Sequence, residues 1–357
     1  MQDTYRFDDH KLIYHPERVS RWMAGKTVFP IYVEVSPTGM CNHRCTFCGL
    51  DFMGYQHRKL DADLLCRRIE EMGRLGIRSI LFAGEGEPFL HSHMVRIIEQ
   101  THKSAIDAAV STNGVLFTRQ KAQQALKHLK WIRFSIDAGT PETYAHLHGC
   151  KEQDFHRVME NLRSAAEIKF DQNLSCTLGV QLVLLPENRK EVGKLAVLAK
   201  EAGADYLVVK PFSQHTQSTT HRYDDVHYGD LDDLQKELDP LCSDGFDAVV
   251  RERSIKSWDE GGASAYRRCQ AFSFWSYIDA GGTVWGCSVH MTDDRFRYGD
   301  IKQNTFEEIW LGQRRAESLK FTQGEFDVSN CRVNCRMDSI NRYLWELKNP
   351  SEHVNFI

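Results

Sequence analysis

The stretch "CNHRCTFC" (41–48) places three cysteines within eight residues, with gaps of three and then two residues between them. Thiolates bind iron and zinc, and this spacing lets Cys41, Cys45 and Cys48 meet on one metal centre. A structural zinc site closes with four ligands, usually in matched pairs. Three ligands leave one position for something else to bind. Cysteines return late in the chain at Cys269, Cys287, Cys331 and Cys335. A zinc site built on these four would have separations unlike those of common zinc ribbons.

The first cysteine loop directly follows "IYVEVSP" (31–37), whose β-branched and apolar residues read as a strand. Further strands are expected at "RSILFAG" (78–84), "DAAVST" (107–112), "WIRFSID" (131–137), "CTLGVQLVLL" (176–185) and "DYLVVK" (205–210). Helical periodicity lies between them, as in "DADLLCRRIEEMGRLG", where Leu65, Ile69 and Met72 share one face before Gly76. Six strands alternating with helices predict an α/β fold with parallel strands and right-handed crossovers. An open sheet and a full or partial barrel both satisfy that pattern. In either, ligands bind at the C-terminal ends of the strands, where the cysteine loop lies.

The pattern changes near residue 212. "SQHTQSTTHRYDDVHYGD" is polar and reads as a linker or covering loop. Later, "FWSYIDAGGTVWGCS" joins two aromatic and β-branched runs through Gly281 and Gly282, a hairpin signal. The expected organisation is an N-terminal extension (1–29), an α/β domain with the first cysteine loop (30–215), a linker or covering region (216–265), a module with the late cysteines (266–340) and a tail (341–357).

Composition narrows the class. Of 357 residues, 41% are hydrophobic and 26% charged, with a net charge of −4, which is ordinary for a globular protein and gives no footprint for nucleic acid. No apolar run reaches the roughly 18 residues that span a membrane, and the polar start lacks a signal-peptide core. A cytoplasmic location is expected, where eleven cysteines indicate metal binding rather than disulfides.

With these residues in view, "CNHRCTFC" resembles the signature of the radical S-adenosylmethionine (SAM) family, including the aromatic Phe47 before the third cysteine. "AGEGEPFLH" (83–91) is similar to that family's Gly-Gly-Glu-Pro segment, with Glu85 in place of the first glycine. "STNG" (111–114) and "SIDAGTPETY" (135–144) resemble its later strand ends. The resemblance implies a partial (β/α)6 TIM-like barrel and a [4Fe–4S] cluster on Cys41, Cys45 and Cys48. SAM then takes the fourth iron, which accounts for the missing ligand. It further implies SAM contacts from Phe47, Gly86, Glu87 and Pro88, with Glu87 opposite the SAM ammonium. Ser111, Asn113, Ser135, Asp137 and Gln181 are the strand-end residues expected around the ribose and carboxylate.

The late cysteines resemble the family's SPASM/twitch module. Cys269 and Cys287 flank Gly282 at twelve and four residues, and "RYGDIKQNTFEEIW" (297–310) resembles the segment between that module's cysteine groups. The full SPASM form has seven cysteines and two clusters. Four cysteines imply the shorter twitch type, a small hairpin and helix module with one auxiliary [4Fe–4S] cluster on Cys269, Cys287, Cys331 and Cys335.

The implied chemistry is reductive SAM cleavage by an external donor such as flavodoxin or ferredoxin, followed by hydrogen abstraction from substrate carbon. Two-electron oxidation then ends with an electron on the auxiliary cluster and a proton on Lys210 or His215, both in "KPFSQH" after the last strand. Epimerisation instead needs a thiol donor, for which Cys176 and Cys242 are the candidates. A non-catalytic iron–sulfur carrier is the reading from another class, and it leaves the SAM-contacting segments without a purpose. Only about 30 residues precede the first strand, too few for a folded leader-binding domain. A sugar or aminocyclitol substrate is therefore expected ahead of a peptide.

Overall fold

The computed structural model describes residues 5–7, 9–229, 231–260 and 265–356. Its strands are β1 (Tyr32–Val35), β2 (Ser79–Phe82), β3 (Asp107–Thr112), β4 (Leu129–Ser135), β5 (Thr177–Leu184), β6 (Tyr206–Pro211), β7 (Asp247–Val250), β8 (Trp275–Ile278), β9 (Thr283–Trp285) and β10 (Arg297–Asp300). They form one sheet in the order β10-β9-β8-β1-β2-β3-β4-β5-β6-β7. β1 to β7 run parallel as a partial barrel, while β8, β9 and β10 extend it past β1.

Period-two alternation decides which side chains reach the site. Val33, Val35, Ile80, Phe82, Val110, Ile132 and Phe134 point outward into a shared core with Leu65, Ile69 and Met72. Those three lie on the helix Ala62–Arg74, started by the Asp61 carboxylate, which accepts from the Leu64 N–H at 2.8 Å. Fully burying each such side chain is worth about 1.5–3 kcal/mol. The intervening positions, among them Glu34, Ser111, Arg133, Ser135, Gln181 and Lys210, therefore face the lumen.

The expected boundaries shift. The stretch 216–265 supplies a seventh parallel strand, β7, which pairs with β6 along Tyr206↔Asp247 to Val209↔Val250. Within the expected module, β8 is parallel to β1, with Tyr32↔Trp275 and Glu34↔Tyr277 in register. The helix Asp338–Lys348 crosses the expected start of the tail, and its Leu344 packs with Trp22 and Phe274. Tyr5 and Phe7 of the N-terminal extension lie 4.8 and 4.9 Å from the ring of Tyr206, at the N-terminal end of β6.

Candidate active site

The loop 41–48 is held from three sides. Its backbone N–H groups at Arg44 and Thr46 donate to the carbonyls of His148 and Leu147, at 2.9 and 2.8 Å. Those carbonyls end the helix Pro141–His148 and have no partner within it. Asn42 accepts from the Asn113 side chain at 2.8 Å, tying the loop to the end of β3. Gly86 lies so close beneath it that a Cβ would stand 2.2 Å from the Thr38 carbonyl oxygen and 2.5 Å from that of Met40. Only glycine fits there. Asp51, just past the loop, accepts from Ser218, Thr219 and Thr220, fastening the covering segment over it.

His148, which sequence reasoning missed, places its Nδ1 3.3 Å from Cys45 Sγ and its Nε2 3.2 Å from an Asp137 carboxylate oxygen. Its ring stacks on Tyr144 at 4.2 Å, and Phe47 meets it edge-on at 5.7 Å. The readable signal is a histidine closing a helix directly before Gly149, whose φ of +57° turns the chain back. Asp137 also accepts from Val183 N–H at 2.6 Å and is fully buried.

Glu87 does not present its charge as expected. Its carboxylate accepts from Phe89 N–H (3.0 Å), Thr112 hydroxyl (2.6 Å) and Asn113 N–H (2.8 Å), bracing the turn after β2 against β3. Pro88 opens the short turn that follows. Ser111 and Ser135 stand on the lumen face near the ends of β3 and β4. Gln181 accepts from Arg133 at 3.2 Å, so part of its capacity is used. Glu85 explains its departure from the family pattern. It accepts from Ala280 N–H in the β8–β9 turn and from Arg58, both at 2.7 Å, and so joins barrel to module.

Cys269, Cys287, Cys331 and Cys335 line one cavity with an apolar wall that includes Phe272, Trp275 and Met337. Burial pushes the Cys269 thiol up to about 12 and the Cys287 thiol upward. Cys331 and Cys335 stand beside each other, and their mutual interaction raises the Cys331 thiol and lowers that of Cys335. In the first loop, burial pushes Cys41 up to about 12 and raises Cys45 and Cys48. Crowded thiols of this kind become thiolates when a metal centre supplies the positive charge. Sulfur-directed donors are already in place: Asn341 on Cys269 (3.3 Å), Val289 N–H on Cys287 (3.4 Å) and His43 N–H on Cys41 (3.5 Å). Both donor sets suit iron–sulfur clusters.

Three expected catalytic residues move. Cys176 precedes β5 at its N-terminal end, away from the cysteine loop, and is buried in the outer core. Cys242 sits before β7, its sulfur accepting from Ala248 N–H at 3.3 Å. Neither lies at the C-terminal strand ends. Both His215 nitrogens are engaged, one accepting from Gln217 N–H and the other facing the Ser288 carbonyl. Burial, then Arg332, lowers its pKa to about 4. Lys210 remains. It faces the lumen near the end of β6, and burial, then Arg251, Arg133 and Arg332, pull its pKa down to about 7.

A parallel barrel with a three-thiol loop after β1, joined to a four-thiol module, is the arrangement that the resemblance to the radical SAM family implies. The Radical SAM superfamily profile matches residues 35–199, and the SPASM iron–sulfur cluster-binding domain matches 269–336. The chain thus carries a radical SAM domain over 35–199 and a SPASM module over 269–336, with SAM and iron–sulfur clusters as the cofactors these domains imply. It is 20% identical to a tungsten-containing aldehyde ferredoxin oxidoreductase cofactor-modifying protein of Pyrococcus furiosus, over 80% of this chain and 81% of that one. It is 29% identical to GTP 3',8-cyclase of Chlorobaculum tepidum over 56% of this chain, spanning 59% of the cyclase. In fold it is similar to Streptococcus suis SuiB bound to precursor peptide SuiA (TM-score 0.62, 15% identity, 85% of this chain and 69% of that one). It is also similar to anSMEcpe with bound AdoMet (TM-score 0.57, 18% identity, 87% and 91%). Among the described residues, no helix is long and apolar enough to cross a membrane.

Proposed function

We propose that this protein is a radical SAM oxidoreductase that dehydrogenates a small polar substrate of the sugar or aminocyclitol kind. When bound, SAM and the clusters supply hydrogen-atom abstraction and one-electron acceptance. Cys41, Cys45 and Cys48 hold the first cluster, supported by Asn42 and His148. Phe47, Gly86, Asn113, Ser111, Ser135 and Gln181 line the cofactor's side of the lumen. Lys210 takes the proton released on oxidation, since a lysine titrating near 7 is partly neutral at working pH.

The observation that carries oxidation over epimerisation is the convergence of four cysteines on the auxiliary site, which leaves no metal position for substrate. The placement of Cys176 and Cys242 away from the strand ends supports it, because neither reaches a lumen substrate as hydrogen donor. A small-molecule substrate is favoured by relatives named for GTP and for a cofactor, while the peptide-binding neighbours share the fold at low identity. An external low-potential carrier such as flavodoxin or ferredoxin delivers the first electron.

Mass spectrometry of product formed in deuterium oxide tests this reading. Oxidation yields a product lighter by two hydrogens. A product of unchanged mass carrying one solvent deuterium sinks it.

A further inference from the structure

His43 lies between Cys41 and Cys45 and is 1% exposed, yet neither ring nitrogen has a hydrogen-bond partner among the described residues. Leaving a buried polar group unpaired is costly, so its place there calls for a ligand. The backbone of His43 serves the first loop, with its N–H 3.5 Å from Cys41 Sγ. Its ring stands edge-on to Tyr144 at 6.0 Å and to His148 at 5.3 Å.

That ring meets the corner 149–151, between the helices Pro141–His148 and Glu152–Asp171. The corner presses on the loop, since a Cβ on Gly149 would stand 2.4 Å from the Arg44 carbonyl oxygen. Two backbone bonds fix it. Cys150 N–H donates to the Ala145 carbonyl at 3.1 Å, and Asp154 N–H to the Lys151 carbonyl at 2.9 Å. A His43 nitrogen, Cys150 Sγ and an Asp154 oxygen thereby lie within 4.8 Å of one another.

The contacts of these three groups leave room for a further bond. Cys150 Sγ has a long contact, 3.7 Å, with the Lys151 carbonyl. Asp154 accepts from Arg157 on Oδ1 at 3.1 Å, while Oδ2 faces His43 Nε2 at 3.5 Å. The second distance is long for a hydrogen bond. It is near the separation of about 3.3–3.4 Å between nitrogen and oxygen ligands on one tetrahedral zinc, with bonds of about 2.0–2.1 Å. The donor set selects the ion. A thiolate, an imidazole and a carboxylate suit zinc, whereas calcium and magnesium take oxygen ligands. Arg157 on the other oxygen is the outer support that a metal-bound carboxylate usually has. The same range joins His43 to Cys45 and His148, but Cys45 belongs to the first cluster and His148 faces it.

We propose that His43, Cys150 and Asp154 hold one zinc ion, with water as its fourth ligand. Binding replaces the Cys150 thiol proton, which leaves to solvent. The ion staples the loop carrying Cys41 and Cys45 to the first turn of the helix Glu152–Asp171. Cys150 and Asp154 are half-buried, so the ion and its water reach the site from the surface. The site is separate from both clusters and does not depend on the reaction proposed above.

Zinc binding by the anaerobically reconstituted holoprotein tests this, with iron counted in parallel and zinc K-edge X-ray absorption on the gel-filtered product. Wild type should retain one zinc per chain beside its full iron. Its zinc should show one sulfur at about 2.3 Å and three nitrogen or oxygen ligands at about 2.0–2.1 Å. Cys150→Ala should lose the sulfur shell. Both Cys150→Ala and Asp154→Asn should bind zinc at least about ten-fold more weakly, with iron unchanged. Two or more sulfurs around zinc would put the ion on cluster cysteines and overturn the proposal. So would zinc at the level of adventitious ions only, or wild-type affinity in either variant. Loss of iron by Cys150→Ala would make Cys150 part of the cluster's own support and overturn it as well.

Discussion

The Glu85 carboxylate accepts a 2.7 Å hydrogen bond from the backbone N–H of Ala280, 195 positions away, so the turn after β2 is fastened to the β8–β9 turn of the module. Its second oxygen takes Arg58. The residue that departs from the family's glycine is thus a joint between two domains.

Glu85→Gly should loosen that joint. A buried N–H at Ala280 and the Arg58 guanidinium lose their acceptor, at a cost of about 2–4 kcal/mol. Differential scanning calorimetry of the holoprotein should show a lower midpoint. An unchanged midpoint would mean that the contact contributes nothing to stability.

Lys210 gives a pH dependence with a definite sign. Its folded pKa, about 7, lies below its ordinary 10.5, so the folded protein binds fewer protons than the unfolded chain between those values. This group's contribution to stability therefore rises with pH from about 7 to 10.5 and is least favourable below 7. As proton acceptor it works in the neutral form, so product formation should rise as pH climbs through about 7. Lys210→Met should slow product formation at least ten-fold and remove the rise; a variant with the wild-type profile refutes this role.

Replacing Cys176 and Cys242 together by Ala should leave the product's mass and the yield of 5′-deoxyadenosine unchanged. Both thiols pack at the N-terminal strand ends. The cost is confined to packing, about 1–2 kcal/mol in total. Loss of product with SAM cleavage intact would restore a thiol donor and the epimerase reading.

Much of this architecture is legible in local pattern. The six barrel strands follow from alternation of apolar runs with helical periodicity, and the strand-end residues follow from the barrel. β7 was missed because "DAVV" is four residues long and follows a polar, glycine-containing stretch. The parallel pairing of β8 with β1 joins residues more than 240 apart, beyond any local signal. The same limit hid His148 beside Cys45 and Asp154 beside His43. The three protein donors that converge on the Glu87 carboxylate are likewise invisible to residue type and position alone.

The auxiliary cysteines should be separable from the first set. Cys269→Ala should lose about four of about eight irons, the content of two four-iron clusters. Some uncoupled SAM cleavage should remain, because the first cluster has its own ligands in the barrel. Loss of all soluble protein would instead assign the second cluster to holding the fold together.

The most direct test is reductive SAM cleavage by anaerobically reconstituted protein, followed as 5′-deoxyadenosine by liquid chromatography. Wild type should release it on addition of dithionite, and the Cys41→Ala, Cys45→Ala, Cys48→Ala triple variant should release none while keeping about half the iron. Zinc in place of iron, or equal cleavage by the triple variant, would contradict the assignment of these three thiolates to a SAM-binding cluster.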